Sequence, residues 1–304
     1  MAIPDFQSLM LPVLKLASDG LDHLSRDARE RLSEEFGLTD EEQREPLLSG
    51  QSRFYNRILW ALHHLKMAGL IASSGRGTFH ITEQGLAVLG EPPARIDLRF
   101  LSQFPEYKDR RGARREEGKP ETSAPAISIV ATPMELVEAG YKQLREALVE
   151  EVLQQVRSSS WQLLEHLVVA LLLAMGYGAR EDSGVVLGKS GDGGVDGVIN
   201  EDALGLDAIY LQAKRQEATV GRPQVQAFVG SLEGRHANKG VFITTSDFTR
   251  EAREYLRHIP RAVRLINGPR LAELMVEYGV GVSVEKTLTL KRLDADYFLD
   301  PDAM

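Results

Sequence analysis

The fold of this chain is decided by the stretch Gly191-Asp192-Gly193-Gly194-Val195-Asp196-Gly197-Val198-Ile199, followed by Ala208-Ile209-Tyr210-Leu211-Gln212-Ala213-Lys214. Their apolar runs predict two short strands. Side chains alternate faces along a strand, so Gln212 and Lys214 point one way and Ala213 points into the opposite packing layer. If the strands pair, Asp196, Gln212 and Lys214 converge on a single site. The glycines before Asp196 allow a sharp turn and leave room for a ligand.

Further strands and helices alternate around this stretch. A capping-box pattern of Thr132, Pro133 and Glu135 predicts a long helix to about Val156. A second helix is predicted over 161–175. Downstream, β-rich segments at 185–187, 195–199, 208–213, 240–245 and 263–266 alternate with helical segments at about 222–235, 249–257 and 269–278. This order predicts an α/β domain with a mixed central sheet.

The amino-terminal part has a different pattern. Apolar residues at helical spacing predict helices around 6–16, 25–36 and 51–68, and the segments 70–71 and 79–82 flank a turn-rich stretch. Three helices followed by a hairpin are typical of a winged helix, in which the third helix is offered to DNA and the hairpin forms the wing.

The chain therefore divides into two predicted domains of the α/β and α+β classes. We expect a winged-helix domain over 1–90 and a catalytic domain over 133–304. Between them, 91–132 holds several of the prolines and few periodic apolar residues, which predicts a linker.

Composition excludes several classes of protein. The 304 residues contain no cysteine, so disulfide scaffolds, thiolate metal sites and cysteine nucleophiles are excluded. The longest apolar run, 167–175, is too short to span a membrane, and we expect a cytoplasmic protein with no membrane partner. The net charge of −8 argues against nucleic acid as a partner, but residues 1–43 alone carry −6, whereas 44–90 carry +3 and 210–270 carry +6.

The converging side chains suit phosphodiester hydrolysis. This reaction needs an oxygen-ligated Mg²⁺ and a cation that orients water or offsets developing charge. We expect Asp196 to be the main ligand and Gln212 to bind the metal through its amide oxygen. Gln212 brings no negative charge, and Glu165 on the preceding helix is the candidate for the carboxylate that is missing there. Lys214 is expected to act on the attacking water or the phosphate. The competing interpretation is structural: an Asp near glycines is usually a turn, and a Lys at a strand end is usually solvated.

The glycine loop, the Gln-x-Lys motif that follows Asp196 after 15 intervening residues, and the upstream Glu165 resemble the catalytic half of Mrr-type restriction endonucleases, of the PD-(D/E)xK nuclease superfamily. The resemblance covers about 134–284, and the predicted winged helix is similar to the amino-terminal Mrr domain. It implies a restriction-endonuclease-like core with Asp196, Gln212 and Lys214 as metal and catalytic positions and Glu165 as accessory acid. Gln212 departs from the usual Asp or Glu of the superfamily, although this form is characteristic of the Mrr branch. The implied activity is Mg²⁺-dependent cleavage of double-stranded DNA with methylated bases, as in type IV restriction.

Two basic surfaces are candidates for DNA contact. On the third helix, Arg53, Arg57, Trp60 and His64 share one strip, and Arg76 lies at the predicted wing tip. The alternative is a solvated face with Trp60 packed on a neighbour. In the catalytic domain, the candidates for phosphate contact are Arg215 and Arg222.

Three functions remain open at this point. The first is a DNA endonuclease that works as a homodimer or larger homo-oligomer, because one chain supplies one active site and double-strand cleavage needs two. The second is a DNA-binding regulator with an inactive nuclease fold, an alternative that Gln212 keeps open. The third is a nuclease specific for another DNA structure, such as a junction or an end.

Overall fold

The structure is a computed structural model that describes residues 2–75, 77–112, 130–180, 183–187 and 194–291. The chain forms two compact units, Met1–Gln143 and Leu144–Met304, and each is described by itself. Within the described ranges, no helix combines the length and the apolar character needed to cross a membrane.

The amino-terminal unit contains the three predicted helices and the predicted hairpin. Its helices are α1 (Phe6–Leu16), α2 (Ser25–Glu35), α3 (Asp40–Arg44), α4 (Arg53–Met67), α5 (Glu83–Gly90), α6 (Leu98–Leu101) and α7 (Pro105–Gly112), and its strands are β1 (His23–Leu24), β2 (Ile71–Ala72) and β3 (Thr78–Ile81). The strands form an antiparallel sheet in the order β1-β3-β2. The short β1, which adds an edge to the hairpin, was not predicted.

Helix α4 lies at the centre of this unit. Ser52 caps its amino terminus by accepting a hydrogen bond from the Tyr55 N–H. The apolar stripe predicted for this helix is confirmed, because Phe54, Ile58 and Leu65 are fully buried against α1 and α2. Burial of each such side chain contributes roughly 1.5–3 kcal/mol to folding.

The predicted linker is wrong for residues 91–112. This segment carries α6 and α7, and its side chains Ile96, Leu101 and Tyr107 are buried in the core of the amino-terminal unit. Their spacing follows neither the helical nor the strand period over any length, because two short helices separated by turns bury one or two residues each. The unit also continues to Gln143, inside the helix that was predicted to open the second domain.

The second unit is built on a five-stranded sheet. Its helices are α8 (Pro133–Ser158, of which residues from 144 onward belong here), α9 (Trp161–Ala174), α10 (Arg222–Gly234), α11 (Arg250–Leu256) and α12 (Gly268–Glu277), and its strands are β4 (Gly184–Val186), β5 (Gly197–Asn200), β6 (Ala208–Lys214), β7 (Lys239–Thr244) and β8 (Ala262–Ile266). The strand order is β4-β5-β6-β7-β8, antiparallel from β4 to β6 and parallel from β6 to β8. The prediction of a mixed central sheet is confirmed.

Two apolar layers cover the sheet. On one face, the carboxyl-terminal half of α8 packs with α9 and α12 against side chains such as Leu211 and Ile243. On the other face, α10 and α11 pack against Phe242 and its neighbours. Ala213 packs with the first layer, so Gln212 and Lys214 lie on the opposite side of β6, as the alternation predicts.

Candidate active site

Asp196 lies directly before β5 and next to the middle of the sheet. The pairing of Gly197 with Leu211 places it opposite Gln212, and its backbone N–H donates to the Leu211 carbonyl at 2.8 Å. Its carboxylate oxygen Oδ2 accepts a 2.8 Å hydrogen bond from the Ala213 N–H. Burial raises the pKa of the Asp196 carboxyl, and the Ala213 N–H and the charge of Lys214 offset only part of that shift.

A second buried carboxylate, Glu165, faces this position from helix α9. Its side chain is 8% exposed. Burial raises the pKa of Glu165, the negative charge of Asp196 raises it further, and His166 opposes the shift. Two carboxylates in a desolvated setting repel each other, and a cation between them reduces this repulsion.

Gln212 adds a neutral oxygen to the two acids. Its Oε1 atom is buried and has no hydrogen-bond partner within the described part of the chain. An amide oxygen without a partner carries a desolvation cost that a ligand would relieve. Gly194, at a positive φ of 80°, lies beside this amide, and a Cβ there would approach the Gln212 nitrogen to 3.2 Å. A larger residue at position 194 would therefore both strain the backbone and crowd the amide.

These three side chains fit a hard divalent cation. Carboxylate and amide oxygens are the ligands that such ions prefer. Among the described residues, no group of three or more His, Cys, Asp and Glu side chains could hold a metal. The amide oxygen of Gln212 is a candidate for a third protein ligand.

Lys214 ends strand β6 on the same side as Gln212. Its positive charge acts to lower the pKa of the Asp196 carboxyl, against the effect of burial. Its backbone carbonyl accepts hydrogen bonds from the Thr244 hydroxyl and the Thr245 N–H at the end of β7. The parallel β6–β7 pair thus holds the lysine at the strand end. The strand register sets Asp196 opposite Gln212, and a single site formed by Asp196, Gln212 and Lys214 stays a prediction.

The arginines predicted to contact DNA in this unit are both exposed. Arg215 follows Lys214, and its Nη1 donates to the Ser159 carbonyl at 2.6 Å. Arg222 begins α10 and lies over the Tyr255 ring at 5.3 Å from its centre. Neither contact involves an acid, so both positive charges remain available to an anion.

The prediction for the third helix is corrected by the structure at Arg53 and Arg57, whose guanidinium groups are committed within the amino-terminal unit. Arg53, 21% exposed, pairs with Glu45, Glu135 and Glu138 at 2.6, 3.1 and 3.1 Å. Arg57, 17% exposed, pairs with Glu135 at 2.8 Å. We call these five side chains the α4–α8 ion-pair cluster. The three glutamates thus supply the negative charge that DNA phosphates would supply if these arginines contacted DNA.

Arg57 also donates from Nη1 to the carbonyls of Ile3 and Pro4. Its acidic partner Glu135 closes a capping box with Thr132 at the start of α8. The face of α4 that was predicted to enter a DNA groove is therefore covered by the chain itself near Arg57.

The two aromatic members of the predicted strip also pack inside the unit. Trp60 is partly buried against the core, and its ring contacts His63 and His64. His64 stacks on Phe6 at 5.3 Å, and its Nδ1 lies 2.9 Å from the hydroxyl oxygen of Tyr107 on α7. Helix α7, which was predicted to be part of a linker, contacts His64, and both rings have partners inside the unit. DNA contact by Trp60 and His64 stays a prediction. Arg76 lies outside the described residues.

Sequence reasoning missed one basic residue near the strand ends. Arg157, in the last turn of α8, donates from Nε to the Thr245 carbonyl at 3.3 Å. It is far from Lys214 in the sequence, and no motif links the two. Only the packing of α8 beside β7 brings Arg157 to this place.

Two family models match the chain. Residues 156–275 match the model described as a restriction endonuclease, of Mrr catalytic type, and residues 6–91 match the Mrr N-terminal domain. The second unit is thus the catalytic domain of a restriction endonuclease. The chain is 37% identical over 305 residues to the type IV methyl-directed restriction enzyme EcoKMrr of Escherichia coli (strain K12), covering 98% of this chain and 100% of that protein. The chain belongs to the Mrr family of restriction endonucleases.

Solved structures give more distant similarities. The DNA modification-dependent restriction endonuclease AspBHI is 17% identical, over 78% of this chain and 73% of its own, with a TM-score of 0.36. The MspJI restriction endonuclease in complex with an oligonucleotide is 21% identical, over 51% of this chain and 35% of its own, with a TM-score of 0.31.

Proposed function

We propose that this protein is a type IV restriction endonuclease that hydrolyses phosphodiester bonds of double-stranded DNA carrying methylated bases, with Mg²⁺ as its metal ion. The observation that carries the proposal is the group of Asp196, Glu165 and the unpartnered Gln212 oxygen beside Lys214. Full-length similarity to a methyl-directed enzyme supports the target class.

Each residue of the site has a distinct role in this proposal. Asp196, Glu165 and Gln212 would hold the cation, with the Ala213 N–H fixing the orientation of the Asp196 carboxylate. A bound Mg²⁺ supplies Lewis-acid polarisation of the phosphoryl group and acidifies a water. The Lys214 ammonium orients the attacking water or offsets negative charge on the phosphate. The charge of Lys214 acts on the Asp196 carboxylate, which supports either role.

In the catalytic unit, we assign DNA contact to Arg215 and Arg222, which are exposed and have no acidic partner within the described ranges. Selection of the target falls to the amino-terminal unit. The three predicted helices and the hairpin support a winged helix, and DNA contact by Arg76, which lies outside the described residues, stays a prediction. The α4–α8 ion-pair cluster leaves the strip around Arg57 out of this proposal.

Assembly and location follow from the proposed reaction. A homodimer or larger homo-oligomer would bring two active sites to the two strands. The cytoplasm is the proposed location, since restriction acts on DNA that has entered the cell.

The test compares wild type, Asp196→Ala and Lys214→Ala on one plasmid prepared with and without methylation, with and without Mg²⁺. We expect wild type alone to nick or cut, with preference for methylated DNA. Equal activity of the three proteins would overturn the site, and equal rates on both plasmids would favour the structure-specific nuclease. No cleavage by any protein, together with Mg²⁺ binding to none, would favour the DNA-binding regulator.

A further inference from the structure

A polar cavity opens in the catalytic unit where strands β6 and β7 end. It encloses about 720 Å³, and its lining includes Gln154, Arg157, Arg215, Gln216, Thr245 and Ser246. We call it the strand-end pocket. The carboxyl ends of parallel strands are where open α/β sheets bind ligands. The pocket therefore lies at a favourable place in the fold for a ligand of the catalytic unit.

Two guanidinium groups give the pocket its charge. Arg157 donates to the Thr245 carbonyl at 3.3 Å and Arg215 to the Ser159 carbonyl at 2.6 Å. Neither forms an ion pair in the part of the chain that the structure describes, whereas Arg253, Arg261 and Arg270 of the same unit each pair with an acid. Neutral carbonyls thus hold both groups in place without neutralising them.

One acid, Glu217, also lines the pocket. With two arginines and one glutamate the lining carries a net charge of +1, which matches the single negative charge of a phosphodiester. An Arg fork aimed at an oxyanion is the geometry that binds phosphate best. The pocket chemistry therefore favours one backbone phosphate over a multiply charged anion.

The strand-end pocket begins at the residue that follows Lys214 in the chain. Arg215 follows Lys214 directly, and neighbouring Cα atoms in a chain are about 3.8 Å apart. The Thr245 hydroxyl bridges the Gln216 backbone by accepting from its N–H and donating to its carbonyl, both at 3.1 Å. This bridge fixes the backbone directly after Lys214.

We infer that the strand-end pocket binds the backbone phosphate next to the scissile one, with Arg157 and Arg215 as its two ligands. This inference rests on the proposed endonuclease activity and assigns a role to Arg157. Its effect is to fix the DNA strand relative to Asp196 and Lys214.

The test measures DNA binding apart from cleavage. Full-length wild type, Arg157→Gln, Arg215→Gln and the double variant are titrated in EDTA against a fluorescently labelled duplex over a series of salt concentrations. Arg264→Gln, at an exposed position of β8 outside the pocket, is the control for loss of one charge. Melting temperatures verify folding, and Arg215→Gln carries the same prediction if Arg157→Gln fails to fold.

We expect each single variant to lower the slope of log affinity against log salt by about 0.9, the value for one phosphate contact. Affinity should fall roughly tenfold, and Arg157→Lys should restore part of it. Because both arginines hold one phosphate, the double variant should lower the slope no further. The inference is wrong if the single variants have the same slope of log affinity against log salt as Arg264→Gln. It is also wrong if the double variant loses twice as much slope as either single variant.

Plasmid cleavage by the same preparations separates the two proposals. If wild type cleaves the plasmid but Arg157→Gln has the same salt slope as Arg264→Gln, the phosphate site in the pocket is disproved and the endonuclease proposal stands. Wild type that binds DNA without cleaving it under any metal condition disproves the endonuclease.

Discussion

The Asp196 carboxylate accepts a 2.8 Å hydrogen bond from the backbone N–H of Ala213 on the neighbouring strand. The contact uses a main-chain donor, so its geometry is set by the pairing of β5 with β6 and not by another side chain. The Asp196 carboxylate is thus oriented without a ligand. A substitution at this position can therefore remove the negative charge and leave the orientation of the side chain unchanged.

The substitution Asp196→Asn keeps an oxygen that can accept from Ala213 and removes the negative charge. We expect an intact fold and a loss of cleavage of at least about 100-fold, since even outer-shell changes at metal sites cost 10–100-fold. Nicking of methylated plasmid measures the loss. Wild-type cleavage by this variant would show that the carboxylate charge is not needed.

The substitution Glu165→Gln should change stability in a metal-dependent way. Removing one of two buried, mutually repelling charges should raise the melting temperature in EDTA. Wild type should gain stability as Mg²⁺ is added, because a ligand that binds only the folded state stabilises it. The variant should gain less. Parallel Mg²⁺ responses of the two proteins would contradict a role for Glu165 in holding the cation.

The substitution Arg57→Ala should destabilise the amino-terminal unit. Glu135 is 7% exposed and would lose its closest cationic partner, at a cost of about 2 kcal/mol. Arg26→Ala is the control, because that side chain is 78% exposed and should change the free energy of unfolding by less than about 0.5 kcal/mol. Urea unfolding is followed by Trp60 fluorescence in a Trp161→Phe background.

DNA binding gives an independent check of Arg57. A purely intramolecular role predicts that Arg57→Ala keeps the wild-type salt slope of DNA affinity. If Arg57→Ala lowers the slope of log affinity against log salt by about 0.9, Arg57 contacts a DNA phosphate, contrary to what its ion pairs indicate.

The same cluster predicts a pH dependence. Burial would raise the pKa of Glu135, but hydrogen bonds from the Thr132 N–H and from Arg57 and Arg53 leave that pKa below its ordinary value. A pKa lowered by folding adds stability that is complete above the unfolded value of 4.5 and is lost as the pH falls through the folded value. Wild type should therefore exceed Glu135→Gln in stability near pH 7, and the gap should narrow below about pH 4.5. A gap that stays constant down to pH 3 would disprove the linkage.

The catalytic half was predictable because its evidence is local. Asp196 directly precedes β5 and Gln212 lies on β6, the next strand, and pairing of consecutive strands is the common arrangement. Strand alternation then places Gln212 and Lys214 on one side. These steps need only the order of elements and the period of a strand.

The strip on α4 could not be interpreted from sequence, for a physical reason. Helical spacing shows that Arg53 and Arg57 share a face, but it does not show what covers that face. Their acidic partner Glu135 lies about 80 residues away, in another helix. Arg157 was missed for the same reason, since its neighbour Thr245 is equally remote in sequence.

The burial of Ile96, Leu101 and Tyr107 bears on how this protein can be divided for experiments. The family model of the first domain stops at residue 91, so a fragment cut there would lack all three side chains and Glu135, the acidic partner of Arg57. Such a fragment should expose apolar surface and aggregate or melt early. A recombinant amino-terminal piece should instead extend to Gln143, where the compact unit ends.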